Sequence, residues 1–253
     1  GATTTFEIID QLELFLLKAG FKPNFYSCEY SQHYNVVMFD EKELINFKPD
    51  IVYLHVSTEC IDEIDNHDKS SKEKAEVEFN KLQKVWKKLN KNFNCSIVQD
   101  NFELPVIRSL GNFSFTSTTG SSHAVSLLNE MINEEAKKLS YLNIIDRFYL
   151  SSKMGLDSWK DYSLWLSSKY SISYNGITHL TYTVSKVINS LFGKSKKCLV
   201  LDLDNTLWGG IIGDVGKRGI ILGKDNSIGQ AYLDFHSYIK ELKDRGVILA
   251  VCS

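Results

Sequence analysis

Three short apolar runs, residues 50–57 (DIVYLHVS), 95–99 (CSIVQ) and 141–145 (YLNII), alternate along the chain with stretches of helical periodicity. A strand that is apolar at successive positions has no polar face to offer water, so both of its faces must be covered. Strands of this kind separated by helices pair in parallel, with helices on either side of the sheet. Phe79, Leu82, Trp86, Leu89 and Phe93 share one stripe of a helix predicted over residues 71–92, and Ile8, Ile9, Leu12, Phe15 and Leu16 do the same over 6–18. Further helices are predicted at 123–138 and 177–192, and a short strand at 24–27. The Ser/Thr-rich residues 114–122 read as a mobile loop. The polar, glycine-containing FGKSKK at 192–197 marks the boundary between a domain over 1–192 and a second beginning at 198.

The second domain opens with a strand over 198–204, followed by a glycine-rich segment, WGGIIGDVGKRGIILG, expected as a β-hairpin. A helix over 228–245 and a strand over 247–252 complete it as far as residue 253. So few strands do not bury their own faces, so this domain is expected to be only the first part of a larger one. Both of its cysteines, Cys198 and Cys252, fall on these strands and are expected to be buried.

Composition narrows the function. A net charge of −2 leaves no global field to draw the chain onto nucleic acid or acidic lipid. Lys81, Lys84, Lys87, Lys88 and Lys91 lie mostly off the apolar stripe of their helix and read as its solvated face. No apolar run reaches the roughly 18 residues that span a bilayer, and the first residues lack the basic start of a signal peptide. The five cysteines are scattered, without CxxC spacing, which argues against a zinc site or disulfide framework and for a cytoplasmic protein. His33, His55, His67, His123 and His236 show no metal-ligand spacing.

The chemistry concentrates in LVLDLDNTLW, residues 199–208. An apolar strand ends in two carboxylates two residues apart, Asp202 and Asp204. Period-two geometry puts both on one face, where their charges repel unless a cation neutralises them. The carboxyl end of a strand is also where sites form in α/β sheets. Thr206 adds a hydroxyl at the start of a turn. A site for phosphate and magnesium fits these residues; two solvated aspartates in a turn fit them as well.

The segment resembles the first signature of the haloacid-dehalogenase (HAD) superfamily, an apolar strand followed by Asp-Xaa-Asp-Xaa-Thr, and VILAVCS, ending at Ser253, resembles the second. DLDNTLWGG, the following LG and the helix before RGVILAVCS are most similar to FkbH-like proteins, as are NFELP at 101–105, LGN at 110–112 and the Gly155, Trp159, Asp161 spacing. The resemblance implies Asp202 as the nucleophile, Asp204 as general acid/base, Thr206 as support for the loop and Ser253 as a phosphoryl ligand. It implies Mg2+ held by the Asp202 carboxylate and the Asp204 carbonyl. The third and fourth signatures would lie beyond Ser253, so the chain alone is expected to turn over little.

The resemblance also implies a flavodoxin-like, three-layer sandwich related to SGNH hydrolases for the first domain, and a Rossmannoid HAD fold for the second. The nucleophilic Gly-Asp-Ser of SGNH hydrolases would align with Gly1-Ala2-Thr3, and the Asp-Xaa-Xaa-His element is missing, which leaves the first domain as a scaffold. The implied activity is a phosphatase or phosphotransferase acting on a small phosphorylated metabolite, with glyceryl transfer to an acyl carrier protein as its more specific form. A partner- or carbohydrate-binding module, and an esterase acting through the first domain, are the competing readings.

Overall fold

The computed structural model describes residues 2–61, 63–64 and 66–252. The chain divides into two compact units, Gly1–Gly193 and Lys194–Ser253.

The first unit is built on three parallel strands, β1 (Ile51–Leu54), β2 (Ser96–Asp100) and β3 (Leu142–Ile145), in the order β1-β2-β3. Ile51 pairs with Ser96, and Ile97 with Leu142. Side chains alternate between the faces, as strand geometry requires. Leu54, Ile97 and Leu142 join a core with α2 (His33–Met38), α3 (Lys42–Phe47), α4 (Ser71–Phe93) and α5 (Ser121–Ala136). Val98 and Ile145 face the other way, into a core with α1 (Phe6–Lys18) and α9 (Tyr174–Leu191). Three layers result, α/β/α. Short helices α6 (Arg147–Met154), α7 (Leu156–Trp159) and α8 (Tyr162–Ser168) link β3 to α9.

Local chemistry sets the longest helix. Ser70 and Glu73 form a reciprocal capping box at the start of α4, and Asn94, at φ +48°, ends it. On one stripe Leu82, Trp86 and Leu89 are buried. The expected run over 50–57 shortens to four strand residues, and residues 55–57 continue past the carboxyl end of β1 without joining the ladder. No strand forms at 24–27; Phe25 and Tyr26 pack against the two cores without joining a ladder.

Residues 114–122 are not the loose loop their composition suggests. A 3-10 turn, Gly111–Phe115, leads into them, and Ser114, Ser117 and Ser122 are buried. Ser114 Oγ accepts from the Ser122 amide at 3.1 Å, and Ser71 Oγ donates to the Gly120 carbonyl at 2.9 Å. Hydroxyls here replace water as partners of a buried backbone.

In the second unit β4 (Cys198–Leu201) pairs in parallel with β5 (Ile248–Val251), Cys198 opposite Ile248 and Leu201 opposite Val251. Between them run α10 (Ile212–Gly219) and α11 (Ser227–Asp244), the latter capped by the Asn226 side chain on the Gly229 amide. The glycine-rich segment is not a hairpin. One antiparallel rung, Gly209 with Ile221, closes a loop that contains α10, and Gly216 (φ +66°) kinks that helix. Cys198 and Cys252 are exposed, not buried, because only two strands pair among the described residues of this unit, and Val200 and Ile248 also face solvent. No helix among the described residues is long and apolar enough to cross a membrane.

Candidate active site

Asp202 follows the last residue of β4 and is exposed; its Oδ1 accepts from the Leu203 amide at 2.8 Å. The chain then coils into a turn in which the Thr206 and Leu207 amides both donate to the Leu203 carbonyl, at 3.2 and 2.8 Å. Thr206 therefore sits inside the loop, at its first closing hydrogen bond. Asn205 occupies the left-handed region at φ +55°, and its side chain accepts from the Gly210 amide at 2.8 Å.

Asp204 is engaged differently from Asp202. Its Oδ1 accepts from Trp208 Nε1 at 3.0 Å and from the Ile212 amide at 3.1 Å. From α11, His236 Nε2 donates to the Leu207 carbonyl at 2.7 Å, and Tyr232 donates to the Asn205 carbonyl at 3.4 Å. The structure thus gathers Asp202, Asp204 and Thr206 into one loop at the carboxyl end of a parallel strand. Ser253 lies outside the described residues.

No group of three or more metal-ligating side chains forms among the described residues. Magnesium asks for less: hard oxygens, one or two carboxylates, and water for the rest of its octahedron. The solvent-facing Asp202 carboxylate and the Asp204 carbonyl are donors of that type, so the loop fits part of such a shell.

The first unit holds a second constellation that sequence reasoning missed. At the carboxyl ends of β1 and β2, Arg147 lies 2.6 Å from Glu103 and 3.7 Å from Asp100, all three with no exposed side-chain surface. Lys160 pairs with Glu103 and, at 2.5 Å, with Glu59. His55 Nδ1 is 2.5 Å from Asp100, and its Nε2 is 3.4 Å from Ser171 Oγ. Arg147 also donates to Ser57 Oγ, to Ser171 Oγ and to the Val56 carbonyl. Its guanidinium lies over the buried Trp159 ring, 5.9 Å from the centroid.

Electrostatics follow from this packing. Burial pushes His55 down, although Asp100 pulls it up. Burial drives the Tyr53 phenol well above its ordinary value, and Asp100 adds to that. Burial opposes ionisation of Glu59, but Lys160 overrides it and the carboxyl lies below its usual range. Burial likewise opposes the Arg147 charge; Glu103 and Asp100 outweigh it and raise the group. Cys60 is pushed up to about 12 by burial, which removes it as a nucleophile.

The constellation is closed. Each carboxylate has a cation, and both His55 nitrogens are occupied. Thr3 is buried, and its hydroxyl donates to the Thr4 carbonyl at 3.5 Å rather than to a histidine. Two of the first-unit motifs that carried the family resemblance, NFELP and the Gly155, Trp159, Asp161 spacing, contribute to this region. Asn101 bridges Asp146 and the Phe148 amide, Glu103 pairs with Arg147, and Asp161 caps α8. Carboxylates placed just past strand ends were the available signal, as they were for Asp202.

A search of curated proteins gives no match. Among solved structures, the fold is similar to the crystal structure of the N-terminal part of the protein BF1531 from Bacteroides fragilis, described as containing a phosphatase domain and complexed with Mg. The TM-score is 0.86 at 24% identity, over 100% of this chain and 67% of that one. The FkbH N-terminal domain family matches residues 17–189. With that match covering most of the first unit, the chain belongs to the FkbH N-terminal domain family.

Proposed function

We propose that the full-length protein is a magnesium-dependent, HAD-type phosphatase or phosphotransferase whose nucleophile is Asp202. The observation that carries this reading is the pair of aspartates past β4. One is exposed, with an oxygen that has no partner among the described residues, and the other is held by two donors in the same loop. The Bacteroides relative's phosphatase domain and Mg agree with it in kind.

In the first step an Asp202 oxygen attacks phosphorus, and the leaving oxygen takes a proton from Asp204. In the second, Asp204 takes a proton from water, which attacks the aspartyl phosphate and frees Asp202. Magnesium, held by the Asp202 carboxylate and the Asp204 carbonyl, would offset the repulsion between a carboxylate and a phosphate. Thr206 holds the turn that presents both groups, and Ser253 is the proposed phosphoryl ligand.

The substrate class we propose is a small phosphorylated metabolite, with glyceryl transfer to an acyl carrier protein as the more specific activity. Nucleic acid and membrane are not among the proposed partners. Five free cysteines suit a cytoplasmic location. The first unit acts as a non-catalytic, SGNH-like scaffold, a role supported by its closed ion network.

The test uses the full-length protein and a phosphorylated substrate carrying labelled phosphorus. Wild type should retain label in an acid-stable, hydroxylamine-sensitive adduct, and Asp202→Asn should neither retain label nor release phosphate. Asp204→Asn should slow the reaction about 10²–10⁴-fold, the typical cost of losing a positioned acid/base. Phosphate release by Asp202→Asn at the wild-type rate would end this reading.

A further inference from the structure

Trp208 has no part in the chemistry above, yet its side chain touches that chemistry directly. Its indole N–H and the Ile212 amide converge on one atom, Asp204 Oδ1, from four and eight residues downstream, at 3.0 and 3.1 Å. A carboxylate oxygen has two lone pairs, so two donors fill it. A proton carried by Asp204 must then sit on the other oxygen, Oδ2. The carboxylate cannot exchange its oxygens by rotation without surrendering both hydrogen bonds.

The backbone around Trp208 is pinned on both sides. His236 holds the Leu207 carbonyl, and Gly209 exchanges two hydrogen bonds with Ile221, at 3.0 and 2.8 Å. A Cβ on Gly209 would stand 3.0 Å from Ile221 Cβ, so the loop closes against this rung without slack.

We infer that Trp208 is a positioning residue. With the Ile212 amide it holds Asp204 so that Oδ2 alone passes protons to and from the reacting oxygens. This rests on the roles of Asp202 and Asp204 proposed above. As the phosphorus–oxygen bond to the leaving group breaks, its electron pair takes the Oδ2 proton and Asp204 becomes a carboxylate. In the return step Oδ2 takes a proton from the attacking water, and the electron pair of the Asp202–phosphorus bond returns to Asp202.

A leaving group that is itself a good anion needs little of that proton, and a poor one needs it fully. The test is therefore kcat/KM, which reports the first step, for full-length wild type and Trp208→Phe across substituted phenyl phosphates. A deficit of about 3-fold with 4-nitrophenyl phosphate should widen to about 10²-fold with phenyl phosphate, as expected when a general acid is misaligned. Replacing Trp208 by benzothienylalanine, which keeps the ring shape and lacks the N–H, should give the same widening and covers the case in which Phe disturbs the fold. Independently of turnover, exchange of the Trp208 indole proton with solvent should accelerate in Asp204→Ala. A deficit equal across the series, or none, in the benzothienylalanine protein overturns the inference. Full activity of Asp202→Asn would instead overturn the reading on which it rests, and the two failures are separable.

Discussion

Arg147 and Glu103 meet at 2.6 Å with neither side chain reaching solvent, at the carboxyl ends of β1 and β2. Burying two charges is costly, and their attraction repays it only with good geometry and further partners. Here the partners are Lys160 and Ser57, each within reach of Glu103. Breaking such a network is costly whatever its net contribution to stability, because it leaves a buried charge unpaired.

Removing one member should therefore cost more than the pair contributes. Glu103→Gln should lower the unfolding free energy by about 3–5 kcal/mol, because Arg147 and Lys160 lose a buried counter-charge. The double variant Glu103→Gln, Arg147→Met should lose less than the sum of the two single losses. Urea unfolding of all three, with near-additive losses as the adverse result, checks this.

Stability should also depend on pH through His33. Burial, with Lys81 nearby, lowers this histidine from 6.5 to about 4, and its buried Nδ1 has no partner among the described residues. Between those values the unfolded chain binds the proton more readily than the folded one. The contribution is thus complete above pH 6.5, is lost as pH falls towards 4, and then levels off. Wild type should lose up to about 3 kcal/mol more than His33→Phe across this window. Parallel stability curves for the two proteins would contradict the assignment.

Gly120 is fixed by space rather than by backbone angle. At φ −71° any residue is permitted, but a Cβ would lie 1.9 Å from the Ser114 carbonyl oxygen. Gly120→Ala should destabilise by about 1–3 kcal/mol or more through forced backbone displacement. Gly111→Ala is the contrast, since a Cβ there meets nothing within 4 Å and only its φ of +52° opposes the change. Thermal melting that ranks Gly111→Ala as the more damaging would refute the steric account.

Thr3 should not act as a nucleophile. Its hydroxyl has the Thr4 carbonyl as acceptor, and His55, the buried histidine of this unit, is committed to Asp100 and Ser171. Wild type and Thr3→Ala should show the same background hydrolysis of 4-nitrophenyl acetate. An esterase activity lost in Thr3→Ala would restore the hydrolase reading for the first unit.

The sequence by itself determined the layering of the first unit and placed the two candidate aspartates, Asp202 and Asp204, at the end of one strand. Stripe spacing over 71–92 and the apolar runs at 95–99 and 141–145 report which faces must be covered, and that information is local. The carboxylates of Asp202 and Asp204 were legible for the same reason, since both lie in one turn after one strand. Only the tertiary structure decided the rest. Residues 24–27 have strand composition but find no ladder partner. The glycine-rich segment, read as a hairpin, has one rung and a kinked helix because its glycines permit both. Glu103 lies 44 residues from Arg147, and His55 lies 45 from Asp100; nothing near any of them in the chain marks the other as a partner. Parallel strands joined through helices bring such residues together only when the sheet has formed, so their pairing is a property of the fold.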